Sequence, residues 1–263
     1  MVDQRVANAI DLVKRAGELI IKRKKVLHLQ VKNQDPSDLV SNVDLEVEKF
    51  LISELASMYP DACFFTEEMT SEFIEKAECF IIDPIDGTTN FVSQGENYAI
   101  SLAYYYRREA VFGIVYDVMR GDLFLGVKGQ GASLNGEQLC SKQDNGLDKM
   151  VIDCSLKSMM QLKEFHDVDV TVLVDKVRGH RALGCASLAI CWIAAGKLNA
   201  YLSSKLKLWD YAAANIVLCE AMGVWVLPFH EQGAFHRDSV VAVAVDNAKN
   251  TEMLLEILLN FFH

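Results

Sequence analysis

Two stretches near the N-terminus place apolar side chains every three or four positions, which is the spacing of one buried helix face. They predict one helix over residues 2–25 and a second over residues 43–58. Ser41 or Asn42 can cap the second helix, and Pro60 follows its end. The apolar positions are Val6, Ile10, Val13, Ile20 and Ile21 in the first helix and Val43, Val47, Phe50, Leu51, Leu55 and Met58 in the second.

Short runs rich in β-branched and aromatic residues predict strands. Residues 62–66 and 80–82 form two such runs, and residues 97–127 contain three more that turn residues separate. Because those three follow one another across short turns, we predict an antiparallel meander.

The second half alternates strand-like runs with helical segments near residues 158–166, 185–195, 210–222 and 247–262. Such alternation predicts helices packed against sheets, and small residues at 212–214 allow one helix to approach its neighbours closely. The polar, turn-rich residues 141–149 mark an internal boundary. We therefore expect a mixed α/β (α+β) protein whose halves, residues 1–145 and 146–263, form one compact unit.

The composition excludes several classes of protein. A chain of 263 residues with 51% hydrophobic residues can bury a substantial core. The net charge of −10 argues against nucleic acid as the main partner, since binding to phosphates needs clustered Lys and Arg. The first residues lack an apolar signal-like run and no run reaches the roughly 18 residues of a membrane span. We expect a cytoplasmic protein with no membrane partner.

The seven cysteines are scattered singly and form no CxxC pair, so we expect most to be buried and reduced. Neither a disulfide framework nor a zinc site is predicted. The six histidines show no ligand spacing and no Ser-His-Asp order, which gives no support to a nucleophilic triad.

Residues 80–91, FIIDPIDGTTNF, combine an apolar strand with two carboxylates. Asp83 lies where the strand ends, and Pro84 should take the chain out of the strand so that Asp86 turns back towards Asp83. Two converging carboxylates repel each other unless a hard divalent cation with oxygen ligands lies between them. The simpler alternative is a strand followed by an Asp-Gly turn.

The same stretch continues with a possible phosphate site. Gly87 permits close backbone approach, and Thr88 and Thr89 can cap a following helix with their hydroxyls. The free amides at the start of such a helix favour a phosphate group.

Four more carboxylates are candidates, each with a structural alternative. Asp44 lies in the first turn of the second helix, where it can simply compensate the helix dipole. Glu67 and Glu68 end the strand 62–66; adjacent strand residues point to opposite faces, so at most one should face a given metal. Asp210 opens its helix, where it can be a structural N-cap.

The motif DPIDGTTN closely resembles the signature of the inositol monophosphatase family of magnesium-dependent, lithium-sensitive phosphatases. Three further blocks match in order: DLVSNVD at 38–44, TEEM at 66–69 and WDYAAA at 209–214. The resemblance covers nearly the whole chain. It implies a layered αβαβα sandwich of the sugar phosphatase type, usually a homodimer, that hydrolyses a small phosphate monoester.

The resemblance also implies roles for individual residues. One Mg²⁺ would be bound by Glu67, Asp83 and the carbonyl of Ile85, a second by Asp83, Asp86 and Asp210, and a third, weaker ion near Glu67. By the same resemblance, Thr88, paired with Asp44, would orient the attacking water, and Glu67 would help to activate it. Glu68 and Lys32 would lie beside the metal ligands. The residues expected to contact the substrate are Asp86, Gly87, Thr88, Ala186 and Asp210.

The substrate is less defined. Animal members of the family use a glutamate before WD for inositol hydroxyls, whereas Ser203 lies near that place here and Lys205 and Lys207 follow. The lysines either are solvated or favour a second anionic group, as in fructose 1,6-bisphosphate or NADP. Inositol monophosphate remains the first expectation, with those two as alternatives. A different class of function would be an inactive family member that serves as a scaffold.

Overall fold

The computed structural model describes residues 2–24, 28–31, 39–69, 72–140, 146–226 and 240–259. The helices are α1 (Val2–Arg23), α2 (Asn42–Met58), α3 (Thr88–Ser93), α4 (Leu156–His166), α5 (Ala186–Ala194), α6 (Leu208–Glu220) and α7 (Ala248–Leu259), with 3₁₀ turns at Leu147–Lys149 and Val170–Leu173. None of the described helices has both the length and the apolar character needed to cross a bilayer.

A seven-stranded sheet is built by the first half of the chain, in the order β3-β4-β5-β6-β7-β8-β9. Its strands are β3 (Ala62–Thr66), β4 (Glu78–Asp86), β5 (Ala99–Tyr106), β6 (Glu109–Asp117), β7 (Asp122–Val127), β8 (Gly131–Leu134) and β9 (Glu137–Leu139). Only the β3–β4 pair in this sheet is parallel. The predicted antiparallel meander is thus confirmed.

A five-stranded sheet follows, in the order β11-β10-β12-β14-β13. Its strands are β10 (Val151–Asp153), β11 (Gly179–Arg181), β12 (Ala200–Leu206), β13 (Val224–Val226) and β14 (Val240–Val245). β10 runs parallel to β11 and β12, whereas β14 is antiparallel to both of its neighbours. A short pair, β1 (Leu29–Val31) and β2 (Leu39–Ser41), precedes α2.

The helices form three layers around the two sheets. α1 and α2 cover one face of the large sheet. α5 and α6 lie between the sheets, and α4 and α7 pack on the far face of the small sheet. Alternation along β4 divides the cores, since Phe80 and Ile82 face α1 and α2 while Cys79 and Ile81 face α5 and α6. The layered αβαβα sandwich is confirmed.

α6 packs directly on the backbone of the large sheet. A Cβ atom added at Gly113 would lie 2.3 Å from the Ala213 carbonyl oxygen, and one at Gly126 would lie 2.7 Å from the Val217 Cα. Residues 212–214 are all alanine and fully buried. Small residues on both surfaces therefore bring the helix close to the strands, as predicted for residues 212–214.

Two boundaries differ from the sequence prediction. β4 continues through Pro84 to Asp86 instead of ending at Pro84, with a break in its register against β5 between Asp83 and Asp86. Proline lacks the N–H that a regular ladder requires, and it is tolerated there because the ladder is interrupted at this point. α6 begins at Leu208 rather than at Asp210.

All seven cysteines lie among the described residues and are free thiols, five buried and two exposed. The expectation that most are buried is confirmed.

Candidate active site

Asp83 and Glu67 meet at the carboxyl ends of two neighbouring parallel strands. Thr66 of β3 lies opposite Ile82 of β4, and the Glu67 amide donates to the Ile82 carbonyl at 3.3 Å. The Glu67 and Asp83 side chains form a hydrogen bond with each other. Asp83 is 1% exposed, and its Oδ1 also accepts from the Ile85 amide at 3.0 Å.

Asp86 is held by the start of α5. Its Oδ2 accepts from the Ser187 amide at 2.6 Å, the Ser187 hydroxyl at 2.5 Å and the Cys185 thiol at 3.1 Å. Its Oδ1 accepts from the Ala186 amide at 3.3 Å. Ala186, predicted as a backbone contact to substrate, therefore also fixes a site carboxylate. Sequence reasoning missed Cys185 and Ser187, although both belong to the GCAS string that contains Ala186.

Asp210 lies in the first turn of α6 but is not its N-cap. The helix begins at Leu208 after Lys207, and the Lys207 amide donates to Asp210 Oδ2 at 2.7 Å. The structural alternative, Asp210 as the N-cap residue, does not hold because the helix starts two residues earlier; Asp210 is instead its third residue and accepts from the amide of the N-cap residue. The Lys207 ammonium also lies near Asp210, where its charge lowers the pKa of that carboxyl.

The four carboxylates share one electrostatic environment. Burial raises the pKa of Asp83 well above its usual value, and the charges of Glu67, Asp86 and Asp210 raise it further. Burial likewise raises the pKa of Asp210, with additional repulsion from Asp86 and Glu67. Burial also raises the pKa of Asp86, opposed by its hydrogen bonds from Ser187 and Cys185. Such a set is stable in its charged form only beside a cation.

Among the described residues, no group of three or more acidic, His or Cys side chains is close enough together, as it stands, to hold a metal ion. The fit of a divalent ion rests instead on the chemistry of the donors. All are oxygen atoms, Asp83 and Asp86 are buried, Asp210 is half-buried, and the carboxylates repel one another in the absence of a positive charge. That donor set suits Mg²⁺, which takes few protein carboxylates and completes its shell with water and phosphate oxygens.

Asp44 and Thr88 form a second polar pair. Asp44 is fully buried in the first turn of α2, where the Ser41 amide donates to its Oδ2 at 3.0 Å and the Ser41 hydroxyl contacts the same oxygen. Thr88 Oγ1 lies 3.1 Å from Asp44 Oδ1 and 3.1 Å from the Ile85 carbonyl oxygen. Burial raises the pKa of Asp44, while the hydrogen bonds from Ser41 and Thr88 lower it.

Thr88 and Thr89 do not cap α3, contrary to the sequence prediction. The N-cap is Gly87, with φ of 88°, and no side chain caps the helix. A Cβ at Gly87 would lie 3.1 Å from both the Asn97 carbonyl oxygen and the Cys185 Cβ, so the left-handed conformation and the tight packing both favour glycine. The Thr88 hydroxyl is directed to Asp44 instead.

Glu48, which the sequence analysis did not identify, binds the backbone of Glu68. The Glu68 amide donates to Glu48 Oε2 at 2.8 Å, and Glu48 is fully buried on α2. Glu48 follows Asp44 by four residues, so both lie on one helix face. The spacing of four residues from Asp44, next to the apolar face of this helix, was the sequence pattern that could have identified Glu48. Lys32, predicted beside the metal ligands, lies outside the described residues.

A cleft of about 380 Å³ opens beside Asp86 and Asp210. Ser203 and Lys205, singled out from the sequence, both line it. So does Asp153, which sequence reasoning missed: it is 2% exposed, ends β10, and accepts from the Leu183 amide at 2.7 Å. Burial raises the pKa of Asp153.

Comparison with known proteins agrees with this arrangement. Residues 1–260 match the Inositol monophosphatase family. The "Inositol-1-monophosphatase" of Bacillus subtilis is 34% identical over 193 residues, which cover 73% of each chain.

Two solved structures share the fold. Inositol monophosphate bound SaIMPase-II superposes with a TM-score of 0.80 at 28% identity, covering 99% of this chain and 95% of the other. An IMPase/NADP phosphatase complexed with Mg²⁺ and phosphate gives a TM-score of 0.87 at 25% identity, covering 98% and 95%. The family match, the sequence identity and the shared fold together establish that this chain belongs to the inositol monophosphatase family.

Proposed function

We propose that the protein is a Mg²⁺-dependent phosphatase that hydrolyses a small phosphate monoester, with inositol monophosphate as the first substrate to consider. The observation that carries the proposal is the convergence of Glu67 after β3, Asp83 and Asp86 in β4, and Asp210 in α6, where the three aspartates have raised pKa values that a cation would relieve. Family membership supports the same reaction, since the Bacillus subtilis relative is named for it.

We assign Glu67, Asp83 and the Ile85 carbonyl to one ion, and Asp83, Asp86 and Asp210 to a second, with a third and weaker ion near Glu67. When bound, such ions lower the pKa of a water molecule and neutralise charge on the phosphoryl and leaving-group oxygens. Backbone amides hold Asp83 and Asp86, and the Ser187 hydroxyl also holds Asp86, so the fold orients these two carboxylates before an ion binds.

Thr88 orients the attacking water in this proposal. Its hydroxyl donates to Asp44 Oδ1, which leaves its oxygen lone pairs directed to accept from water. Asp44 fixes that orientation because the Ser41 amide holds its other oxygen. Glu67 accepts the proton of the water, with Glu68 held beside it through Glu48. No covalent intermediate is required.

The backbone amides of Gly87 and Thr88 are assigned to the phosphate oxygens. Gly87 adopts a left-handed conformation at the start of α3, and a side chain there would crowd the opposite loop. Asp86, Asp210 and the Ala186 backbone are assigned to the rest of the substrate, because all three line the cleft. The enzyme is proposed to be lithium-sensitive, cytoplasmic and homodimeric by analogy with its family.

The test is phosphate release with Mg²⁺ and with EDTA, across inositol 1-phosphate, fructose 1,6-bisphosphate, NADP and 3'-phosphoadenosine 5'-phosphate. Turnover that requires Mg²⁺ and is abolished by EDTA is expected. If the folded protein releases no phosphate from any of them, the enzyme proposal fails and the scaffold alternative takes its place. Light scattering of the purified protein tests the proposed dimer.

A further inference from the structure

The segment 183–187 follows β11 and leads into α5, where its last two amides donate to Asp86. Leu183 begins this segment, and side chains from two other elements bind both of its backbone groups. Its amide donates to Asp153 Oδ2 at 2.7 Å, and its carbonyl oxygen accepts from Asn90 Nδ2 at 2.8 Å. One residue therefore connects β10 of the small sheet with α3, which follows β4 of the large sheet.

The Asn90 side chain extends this connection to the turn at Gly87. Asn90 is 5% exposed, and its Nδ2 also donates to the Asn97 carbonyl oxygen at 2.9 Å. A Cβ atom added at Gly87 would lie 3.1 Å from that same carbonyl oxygen and 3.4 Å from the Gly184 carbonyl oxygen. The turn assigned to the phosphate oxygens therefore packs between the two loops that Asn90 holds.

Gly184 brings the segment 183–187 into close contact with Asn90. It has φ of 77°, and a Cβ atom there would lie 3.1 Å from both Nδ2 and Oδ1 of Asn90. The left-handed conformation and the close contact both favour glycine. Because this contact leaves no room for a side chain, a shift of Leu183 must also displace Asn90.

Asp153 holds Leu183 from a fixed position. Its main chain lies in the middle of three strands, opposite Arg181 of β11 on one side and Tyr201 of β12 on the other. The Asp153 side chain is 2% exposed, so its carboxylate has little freedom to rotate away. A carboxylate also accepts from an amide more strongly than a neutral oxygen does. Asp153 is therefore a fixed acceptor for Leu183.

We propose that Asp153 is a positioning residue for the reaction, although it need not touch the substrate. By holding Leu183 it fixes the segment whose amides orient Asp86. Through Leu183 and Asn90 it also fixes the turn at Gly87 that is assigned to the phosphate oxygens. The effect on the reaction rests on the proposed function, whereas the mechanical connection rests on the hydrogen bonds alone.

Amide hydrogen exchange in EDTA tests the connection without requiring turnover. Asp153→Ala removes the acceptor and should speed exchange about tenfold in peptides that cover residues 183–187, and about threefold in those that cover residues 87–91. Asp153→Asn keeps an oxygen acceptor and should stay within about threefold of wild type throughout. Asp148→Asn changes an exposed carboxylate just before β10 and is the matched control, with no expected change. Unchanged exchange at residues 87–91 would overturn the connection.

Steady-state kinetics test the effect on the reaction, at a temperature where every variant is folded. With inositol 1-phosphate, Asp153→Ala should lower kcat about tenfold and raise the Mg²⁺ concentration for half-maximal turnover about tenfold. Asp153→Asn should recover most of both losses. A purely structural role would lower only the unfolding midpoint and leave both kinetic constants unchanged, which would overturn the proposal.

A double-mutant cycle with Asn90→Ala tests whether the two side chains act through the same residue. If both act through Leu183, the loss in the double variant should be smaller than the product of the two single losses, in exchange rates as well as in kcat. Losses that multiply in full would overturn the shared route. If wild type and variants all release no phosphate while the exchange effects are present, the proposed function alone fails.

Discussion

Two parts of the candidate active site are built in opposite ways. In one part, Asp83 and Asp86 are almost fully buried, and backbone amides at 2.6–3.3 Å hold their oxygens. Elsewhere in the cleft lining, Lys157 and Lys205 are exposed, and a hydrogen bond from the Ser204 hydroxyl to Gln161 adds to the apolar packing between their two elements. The main chain therefore fixes the carboxylates assigned to the reaction, whereas the exposed lysine side chains in the cleft are free to change conformation.

This contrast suggests a division of labour. Buried carboxylates held by the backbone cannot move without moving β4 or α5, so changes there should affect the rate of the reaction. Exposed lysines can be replaced without disturbing the core, so changes there should affect which ester is preferred.

Asp83→Asn should give the largest loss. Asp83 is the carboxylate assigned to both ions, and its removal should lower kcat/KM for any substrate by about a thousandfold or more, equivalent to several kcal/mol of lost stabilisation. Steady-state phosphate release measures the effect.

The same variant should not lose stability when metal is absent. Burial and three neighbouring carboxylates disfavour the charged form of Asp83, so its neutral amide replacement should leave the unfolding midpoint in EDTA unchanged or higher. A large drop in that midpoint would mean that Asp83 is structural, and the contrast between the two parts of the site would fail.

Thr88→Ala should be next in size. It removes the hydroxyl between Asp44 and Ile85, and loss of water orientation should lower kcat by about a hundredfold with little change in KM. Thr88→Ser keeps the hydroxyl and should recover most of the rate. If serine and alanine were equally impaired, the methyl group rather than the hydroxyl would be the important part.

Ser187→Ala should weaken metal binding by about ten- to a hundredfold, since the Ser187 hydroxyl supports the Asp86 carboxylate. The Mg²⁺ concentration that gives half-maximal turnover measures the change. Saturating Mg²⁺ should restore most of the rate. A rate that stays low at saturating Mg²⁺ would point to misplaced substrate instead.

The pH dependence should differ with and without metal. The raised pKa values of Asp83, Asp86 and Asp210 mean that the metal-free folded state binds protons more tightly than the unfolded state does. Stability in EDTA should therefore be greatest at low pH and fall as pH rises through the folded pKa values. Mg²⁺ competes with those protons, so its affinity should rise with pH, by up to about tenfold per unit for each proton released. Urea unfolding in EDTA across pH 5 to 8 measures the trend in stability. Mg²⁺ titration over the same range measures the trend in affinity.

Gln161→Ala should have the smallest effect. It removes the acceptor for Ser204 and loosens the contact between β12 and α4 without removing a charge, so the ratio of kcat/KM between two esters should change by only about two- to threefold. A larger change would show that this part of the cleft is less adaptable than the contrast implies.

Local sequence patterns specified the main elements and the carboxylates of the site. The helical repeats near the N-terminus correspond to α1 and α2, and the runs at 62–66 and 97–127 correspond to β3 and the meander. Residues 80–91 identified Asp83 and Asp86 as site residues, because this stretch carries more functional groups than a simple Asp-Gly turn needs. The family assignment and the prediction that the chain is a hydrolase are both confirmed by the comparisons.

Tertiary structure decided the points that depend on distant residues. Ser187 and Cys185 support Asp86 from about a hundred positions away in the chain, and the Thr88 hydroxyl binds Asp44 instead of capping its own helix. The register shift in β12 beside Lys205 arises where β12 pairs with β14, a strand about 35 residues further along the chain. Periodicity reports which face of an element is buried, because burial is a local average over its residues. It does not report which buried polar group meets which, because that is set by the packing of whole layers.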